Sequence, residues 1–175
     1  MSLSGKRAVI LVADGVEDLE CQVTAMRLVE EGVEVHLAGI NMEPIRGKEG
    51  LEIRPTMTID DLDVGEFDCV VLAGGWAPDK LRRYASVLRF VREMNDSRKT
   101  IGIICHGGSI AVSADIVRGR KATGSLGIKD DLVNAGATWL DEAAFREGNQ
   151  VWGRVVADIP FFCRELVAAL REATQ

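Results

Sequence analysis

The sequence lacks the features that mark several large classes of protein. It has no apolar run near the roughly 18 residues that a membrane-spanning helix needs, and no run of basic residues. Its net charge of −6 disfavours non-specific binding to nucleic acid. The first apolar run is short and ends at Asp14, without the small-residue cleavage site of a signal peptide. These absences predict a cytoplasmic protein that binds neither membranes nor nucleic acid.

Cysteine and histidine are too few and too scattered for a disulfide framework or a metal site. The chain has four cysteines without a C-x-x-C spacing, and its two histidines, His36 and His106, are far apart. This pattern favours free thiols in a reducing compartment and provides no metal ligand set. The G-x-G-x-x-G and P-loop spacings are also missing, which disfavours a nucleotide site. No cofactor and no metal are therefore predicted.

The 175 residues do contain enough apolar material for a full hydrophobic core. Hydrophobic residues make up 47% of the chain and charged residues 27%, as in ordinary globular proteins. Neither an internal repeat nor a low-complexity linker interrupts the sequence. We therefore expect one domain over residues 1–175.

Apolar runs of strand length alternate with helical patterns along the chain. Strands are predicted at 7–13, 33–40, 67–75 and 100–104, around Ile45 and 51–54, and as a pair at 144–146 and 150–153. A helix is predicted at 18–31 because apolar residues recur there at helical spacing: Leu19, Val23, Met26 and Val29. Another is predicted to begin at Pro78, with four apolar residues on one face: Leu81, Leu88, Val91 and Met94. Further helices are predicted from about Gly107, at 129–134, and at 159–171 with Asp158 as N-cap. This alternation predicts an α/β fold, a mostly parallel sheet with helices on both faces. Ligands bind such sheets at the carboxyl ends of the strands.

Two of the predicted strand ends carry unusual residues. Glu17 follows the first strand, and from this segment alone a favourable position at a helix N-terminus explains it better than a carboxyl group directed into the edge cleft. The third strand ends in Gly74-Gly75, which either form a tight turn or let backbone N–H groups approach an anion. The residues alone leave these two explanations about even.

The fourth strand end carries the strongest candidate for chemistry. Cys105 and His106 stand between a buried strand and a predicted helix, with glycines at positions 102, 107 and 108. This is the pattern of a nucleophile elbow with cysteine in place of serine, and a helix N-terminus lowers the pKa of such a thiol. Free cysteine is otherwise usually a buried and inert packing residue. That alternative suits the remaining cysteines better, namely Cys21, Cys69 and Cys163.

Four segments in order resemble the PfpI intracellular protease family. They are "ADGVEDLE", "FDCVVLAGGWAPD", "GIICHGG" and "RGRKATGSLGIKDDLVNAGATW", and the resemblance extends from Lys6 to about Leu170. This family belongs to the class I glutamine amidotransferase-like superfamily, which also contains the Parkinsonism-associated protein deglycase. The resemblance implies a flavodoxin-like three-layer sandwich.

The resemblance also implies roles for individual residues. Cys105 matches the nucleophile, Glu17 the glutamate that hydrogen-bonds its sulfur, and His106 the adjacent histidine. Asp79 matches an acidic residue that completes the triad across a subunit interface. The oxyanion or substrate-binding positions fall on Gly74, Gly75, Trp76 and Gly107. The chain departs from the family pattern at Asp79, where glutamate is usual, and at Ala73, Gly108, Leu126 and Val155-Val156.

The function implied by this resemblance is that of a cysteine-dependent stress-response enzyme. Its substrates are reactive carbonyls, as for a glyoxalase or protein deglycase, or amide bonds, as for a peptidase or amidase. The shorter Asp79 weakens the triad, and attack on an aldehyde needs less help for the leaving group, so carbonyl chemistry is favoured. The alternative is a non-enzymatic redox sensor or stress-protective protein that uses oxidation of Cys105. Self-association into dimers or larger homo-oligomers is also implied.

Overall fold

Strands and helices alternate through residues 2–173, the part of the chain that a computed structural model describes. The strands are, in chain order, β1 (Arg7–Leu11), β2 (Glu34–Gly39), β3 (Ile45–Arg46), β4 (Glu52–Ile53), β5 (Met57–Thr58), β6 (Cys69–Leu72), β7 (Thr100–Ile104), β8 (Lys121–Ala122), β9 (Thr138–Trp139), β10 (Ala144–Glu147) and β11 (Gln150–Gly153). The α-helices are α1 (Asp18–Glu30), α2 (Ala77–Leu81), α3 (Ala85–Asp96), α4 (Gly108–Ser113), α5 (Lys129–Asn134) and α6 (Ile159–Glu172).

The main sheet has the strand order β10–β11–β7–β6–β1–β2–β5. Its strands pair in parallel except for β10 and β11, which form an antiparallel hairpin at one edge. The connection from β1 through α1 to β2 and that from β6 through α3 to β7 step across the sheet in opposite directions. Because such crossovers are right-handed, α1 and α3 cover opposite faces. The predicted α/β class, with a mostly parallel sheet between helical layers, is confirmed.

The central strands explain why the sequence reads as continuous apolar runs. Every residue of β6 and of β7 is buried, as in a strand covered on both faces. Large side chains that pack between the sheet and the helices are also fully buried, among them Phe67, Phe90, Trp152 and Phe162. The sheet therefore provides a rigid edge on which the loops after β1, β6 and β7 are held.

The helix predicted from Pro78 onward is two helices in the structure. Helix α2 ends at Leu81, and α3 begins only at Ala85. Tyr84 adopts extended backbone dihedral angles between them, with φ of −96° and ψ of 121°. The apolar spacing continues through this break, so periodicity alone predicts one helix. The two-residue strands β5, β8 and β9 escape prediction because so short a segment shows no period.

Helix α1 begins at the predicted residue and ends one residue before the predicted end, but its orientation is unexpected. The apolar residues whose spacing predicts it are exposed by 39% to 67% in the structure: Leu19, Val23, Met26 and Val29. The buried face instead carries Glu20, Cys21, Thr24 and Leu28. The helix thus leaves an apolar stripe toward solvent and turns a glutamate inward.

Asp158 precedes α6, where the sequence predicts an N-cap. Its side chain makes no capping hydrogen bond. The carboxylate instead accepts a hydrogen bond from Arg154 Nε at 2.9 Å, and Arg154 also pairs with Asp141. The ion pair with Arg154 therefore replaces the predicted cap. Among residues 2–173, no helix is long and apolar enough to cross a lipid bilayer.

Candidate active site

The loops after β1, β6 and β7 meet at the carboxyl edge of the sheet because β6 pairs in parallel with both neighbours. An isolated bridge between Val16 and Gly75 joins the first two loops. The backbone N–H of Glu17 also donates to the Gly74 carbonyl oxygen at 3.1 Å. Residues far apart in sequence are therefore held side by side at this edge.

Cys105 occupies a strained turn at the end of β7. Its φ of +56° lies in the left-handed region, which costs a residue with a Cβ about 1–2 kcal/mol. The turn of 3₁₀-helix that follows packs tightly on the end of β6, since a Cβ on Gly107 would lie 2.0 Å from the Leu72 carbonyl oxygen. The structure thus has the sharp strand-to-helix turn that the flanking glycines indicate.

Three polar groups of neighbouring residues surround the Cys105 sulfur. The backbone N–H groups of His106 and Gly75 point toward it and stabilise its anionic form. The imidazole Nδ1 of His106 lies 3.4 Å from Sγ. Cys105 is partly exposed, whereas Cys21, Cys69 and Cys163 are buried. The arrangement can stabilise negative charge on the sulfur and on an atom bonded to it.

Glu20 provides the carboxyl group that interacts with the thiol. Its side chain is fully buried, and Oε2 accepts a hydrogen bond from the Gly74 N–H at 2.7 Å. Among the described residues Oε1 has no nitrogen or oxygen partner, and the Cys105 thiol is the side chain that interacts with this carboxyl. Burial, followed by smaller contributions that include the charge of Glu17, raises the pKa of Glu20 to about 7.

Glu17 does not make the sulfur contact that the family resemblance implies. It is the N-cap of α1, and its Oε2 accepts a hydrogen bond from the Glu20 N–H at 2.8 Å. It still lines the same pocket as Cys105. This difference follows from the phase of the helix. The Glu17 carboxylate, at the N-cap, accepts a hydrogen bond from its own helix, whereas Glu20, the third residue of that helix, points inward.

Cys105 and Glu20 titrate as a pair. Burial and then the charge of Glu20 raise the pKa of Cys105 to about 12, so desolvation outweighs the lowering expected from the helix start. The first proton therefore leaves the pair near pH 7, and the second leaves only in strongly alkaline solution. Across the physiological range the two groups share one proton. Burial and the charge of Glu20 keep this proton mainly on the thiol, and the N–H groups of His106 and Gly75 lower the cost of moving it to Glu20 to form the thiolate.

His106 and Asp79 are not joined within one chain. Burial, with a smaller contribution from the charge of Lys48, lowers the pKa of His106, so its imidazole is neutral at pH 7. Asp79 lies on α2 with its side chain 67% exposed and pairs with Arg83 at 2.5 Å. No hydrogen bond or ion pair between Asp79 and His106 is formed within residues 2–173. The intersubunit triad therefore stays a prediction.

Both glycines after β6 are required by close approaches. A Cβ on Gly74 would lie 2.6 Å from Glu20 Oε2 and 2.8 Å from the Cβ of Cys105. Gly75 has a φ of +75°, and a Cβ there would lie 2.2 Å from the Gly15 carbonyl oxygen. The two explanations that the sequence leaves open are thus combined, since the tight turn is what brings the Gly75 N–H to the sulfur.

A pocket of about 340 Å³ opens over the thiol. It is lined by Glu17, Lys48, Gly75, Trp76, Cys105, His106, Ser125, Val155, Val156 and Ala157. Gly107, which the family resemblance places at the site, is buried and does not line this pocket. Lys48, which the sequence analysis does not single out, reaches this pocket from the β3–β4 hairpin. Among residues 2–173 no three His, Cys, Asp or Glu side chains are grouped to hold a metal ion.

Comparison with known proteins gives a consistent result. Residues 6–169 match the model of the DJ-1/PfpI family. Deglycase PfpI of Pyrococcus furiosus is 37% identical over 165 residues, which cover 94% of this chain and 99% of the relative. Protein/nucleic acid deglycase 2 of Escherichia coli is 34% identical over 172 residues, covering 94% of this chain and 98% of the relative.

A solved structure shares both fold and sequence. It is a protein of Anabaena variabilis with a DJ-1/ThiJ/PfpI-like domain and a ferritin-like domain. The TM-score is 0.92 at 37% identity, over 94% of this chain and 48% of that chain. The present chain therefore spans about half the length of that protein.

Proposed function

Since the chain belongs to the DJ-1/PfpI family, we propose that it is an enzyme that attacks reactive carbonyl compounds with the Cys105 thiolate. The observation that carries the proposal is the pairing of a partly exposed sulfur on a strained turn with the buried Glu20 carboxyl. The favoured substrates are dicarbonyls such as methylglyoxal, or their early adducts with amines. The deglycase names of two relatives support this choice.

The first chemical step uses the proton that Cys105 and Glu20 share. The thiolate adds to the aldehyde carbon, the carbonyl π electrons move to oxygen, and Glu20 donates its proton to that oxygen. The N–H groups of Gly75 and His106, which donate to the sulfur before the addition, stabilise the negative charge as it shifts from sulfur to oxygen. The product is a hemithioacetal, and Glu20 becomes the base of the next step.

Proton transfer and hydrolysis then complete the reaction with methylglyoxal. The Glu20 carboxylate takes the proton from the carbon that bears sulfur, and a proton is returned to the neighbouring carbon. This converts the hemithioacetal into a thioester of a 2-hydroxy acid. Water, with neutral His106 as base, hydrolyses the thioester and restores the thiol. The sum is methylglyoxal plus water giving lactate and one proton, with no external oxidant or reductant.

Consumption of methylglyoxal tests this function directly. The wild-type protein should consume the dicarbonyl and form lactate, and Cys105→Ala should lose at least about 100-fold in kcat/KM. Cys163→Ala is the matched control because Cys163 is buried on α6, away from the pocket. If Cys105→Ala and wild type consume methylglyoxal at the same rate, the proposed function is wrong.

Amide hydrolysis is less well supported by the same site. Expulsion of an amine requires a proton donor for the leaving nitrogen, and within residues 2–173 His106 forms no ion pair with an acidic side chain. Aldehyde addition has no leaving group, so the Cys105–Glu20 pair suffices. A peptidase assay in which Asp79→Ala removes all activity would instead favour the triad arrangement.

A redox sensor is the second candidate function. The partial exposure of Cys105 and the burial of the other three cysteines favour oxidation at this one sulfur. Mass spectrometry after mild peroxide treatment tests the idea. Modification of Cys21 or Cys163 ahead of Cys105 would contradict it.

We further propose that the chain self-associates through α1. Its exposed apolar stripe, Leu19, Val23, Met26 and Val29, continues into a groove beside α6. The floor of this groove includes Ile159, Pro160 and Val167, and three arginines also line it, Arg27, Arg164 and Arg171. Contiguous apolar surface of this kind is typical of an interface. The family resemblance implies a second copy of this chain as the partner.

A further inference from the structure

The pocket over Cys105 continues into a second, charged pocket. This outer pocket has a volume of about 440 Å³ and contains the cationic side chains of Arg46, Lys48 and Lys80. Lys48 and Trp76 line both pockets, so the two form one cleft with a reactive end and a cationic end. Three cationic side chains therefore lie beside the candidate nucleophile, although the chain as a whole has a net charge of −6.

Lys48 is held in place by a buried carboxylate that the proposed reaction does not use. Asp18 is 6% exposed, and its two oxygens accept the N–H groups of Glu49 and Leu51, each at 2.8 Å. The Lys48 N–H donates to the Val16 carbonyl oxygen at 2.8 Å. The turn that carries Lys48 is therefore fastened to the loop before α1.

Arg46 is fastened to the same loop from the other side of the turn. Its backbone N–H donates to Asp14 Oδ1 at 2.9 Å, and its carbonyl oxygen accepts the Gly15 N–H at 2.8 Å. These bonds connect the β3–β4 hairpin to the loop that ends at Glu17. The cationic end of the cleft is consequently a built feature of the fold.

The net charge of the outer pocket and its apolar wall indicate which class of ligand it can bind. Lys48 Nζ pairs with Glu49 Oε1 at 3.1 Å, and Glu17 lines the reactive end of the cleft. The lining of the outer pocket itself comprises three cations, Arg46, Lys48 and Lys80, and two acidic residues, Asp14 and Glu49, which leaves one positive charge unbalanced. A single carboxylate balances that charge, whereas a phosphate dianion would exceed it. The Trp76 indole, 64% exposed, gives the cleft an apolar wall between its two ends.

We propose that Arg46, Lys48 and Lys80 bind a carboxylate on the substrate, so that the enzyme prefers anionic carbonyl compounds to neutral ones. The inference rests on the proposed function for its reaction but concerns the choice of substrate. Asp18 is a positioning residue, since it acts through the turn that carries Lys48.

Alkylation of Cys105 tests the anion site without any turnover. Iodoacetate and iodoacetamide react with the same thiolate, but only iodoacetate carries a carboxylate. Their rate ratio at Cys105, measured by mass spectrometry, cancels any general effect of a variant on the thiolate. We expect Lys48→Gln to lower this ratio about fivefold and Lys48→Arg to preserve it. Lys121 is exposed and lines neither pocket, so Lys121→Gln is the matched control and should leave the ratio unchanged.

The outcome of the alkylation experiment is decisive for the site. An equal ratio in wild type and Lys48→Gln would overturn the proposal, as would the same loss in Lys121→Gln. Added salt should reduce the wild-type ratio toward that of Lys48→Gln, because salt screens exposed charges.

A matched pair of substrates tests the preference during turnover. Phenylglyoxal and 4-carboxyphenylglyoxal share one dicarbonyl group and differ in a distant carboxylate. Wild type should show a kcat/KM several-fold higher for the carboxylated compound, and Lys48→Gln should lose that preference. Equal kcat/KM values for both compounds in both proteins would overturn the proposal while the proposed function stands. If the wild-type protein consumes neither compound but the alkylation ratio still depends on Lys48, the proposed function is wrong and the anion site is retained.

Discussion

Glu17 and Glu20 are three residues apart, and the fold gives them different tasks. Glu17 caps α1, whereas Glu20 lies on the buried side of the first helical turn and meets the Cys105 thiol. The family resemblance predicts Glu17, not Glu20, at the sulfur. The sequence cannot decide between the two, because the segment "EDLE" offers a carboxyl group at each end and only the helix start determines which one points inward.

Replacement of each glutamate by glutamine separates these tasks. Glu20→Gln cannot donate or store the shared proton, so we expect kcat/KM for methylglyoxal to fall about 100-fold. Because the Glu20 carboxylate raises the pKa of the Cys105 thiol, the alkylation of Cys105 by iodoacetamide in alkaline solution should also shift to lower pH in this variant. Glu17→Gln retains a side-chain oxygen for the cap and should have a much smaller effect. The reverse order of effects would assign the proton to Glu17.

The buried Glu20 also makes stability depend on pH. Its pKa is raised from 4.5 to about 7 by burial, so the folded state binds more protons than the unfolded state in this range. The free energy of unfolding therefore falls as pH rises from about 4.5 to about 7, and the loss persists above pH 7. Glu20→Gln should stabilise the protein by about 2 kcal/mol at pH 8 and by much less at pH 4.5. Urea unfolding at both pH values measures the difference, and an equal effect at both would contradict the raised pKa.

At the scale of elements, the sequence predicts the regular part of the site and misses the irregular part. Buried runs predict β1, β6 and β7, and the glycines beside Cys105 predict the turn on which it lies. Lys48 is missed because it lies on a hairpin of two-residue strands whose position depends on Asp18. Such a contact joins residues about thirty positions apart, and no local pattern reports it. The packing of α1 on the sheet likewise determines that its apolar stripe faces outward, and the apolar periodicity of the sequence does not show this.

The β3–β4 hairpin provides a test at this scale. A Cβ on Gly47 would lie 2.4 Å from Asp18 Oδ1, and Asp18 is buried and fixed by two hydrogen bonds. Gly47→Ala should therefore displace the turn, destabilise the protein by about 2 kcal/mol and lower the iodoacetate preference of Cys105. Gly65→Ala is the control, since its Cβ would meet only the exposed Asp63 side chain. A thermal melt and the alkylation ratio measure the two effects. Normal values of both in Gly47→Ala would show that the hairpin does not hold Lys48.

At the scale of the whole molecule, the net charge of −6 opposes association of identical chains. The apolar stripe on α1 is the surface proposed above to supply the attraction against this repulsion. Met26 is 67% exposed at the middle of this stripe, and Met26→Glu should shift the protein toward monomer in light scattering. Val133→Glu is the control, because Val133 is an exposed apolar residue on α5. The same molar mass for Met26→Glu and wild type at all concentrations would exclude α1 as the interface.

The position of β7 between β6 and β11 has a consequence for the order in which the protein is made. The strands β1, β2, β6 and β7 leave the ribosome within the first 104 residues, but β11 follows only at Gln150. Until then one side of β7, the apolar segment "TIGII", has unpaired backbone groups. Such an edge readily pairs with other chains. A nascent or truncated chain that ends before residue 150 therefore carries its nucleophile on an open, aggregation-prone edge, and release of the last strand is what closes it.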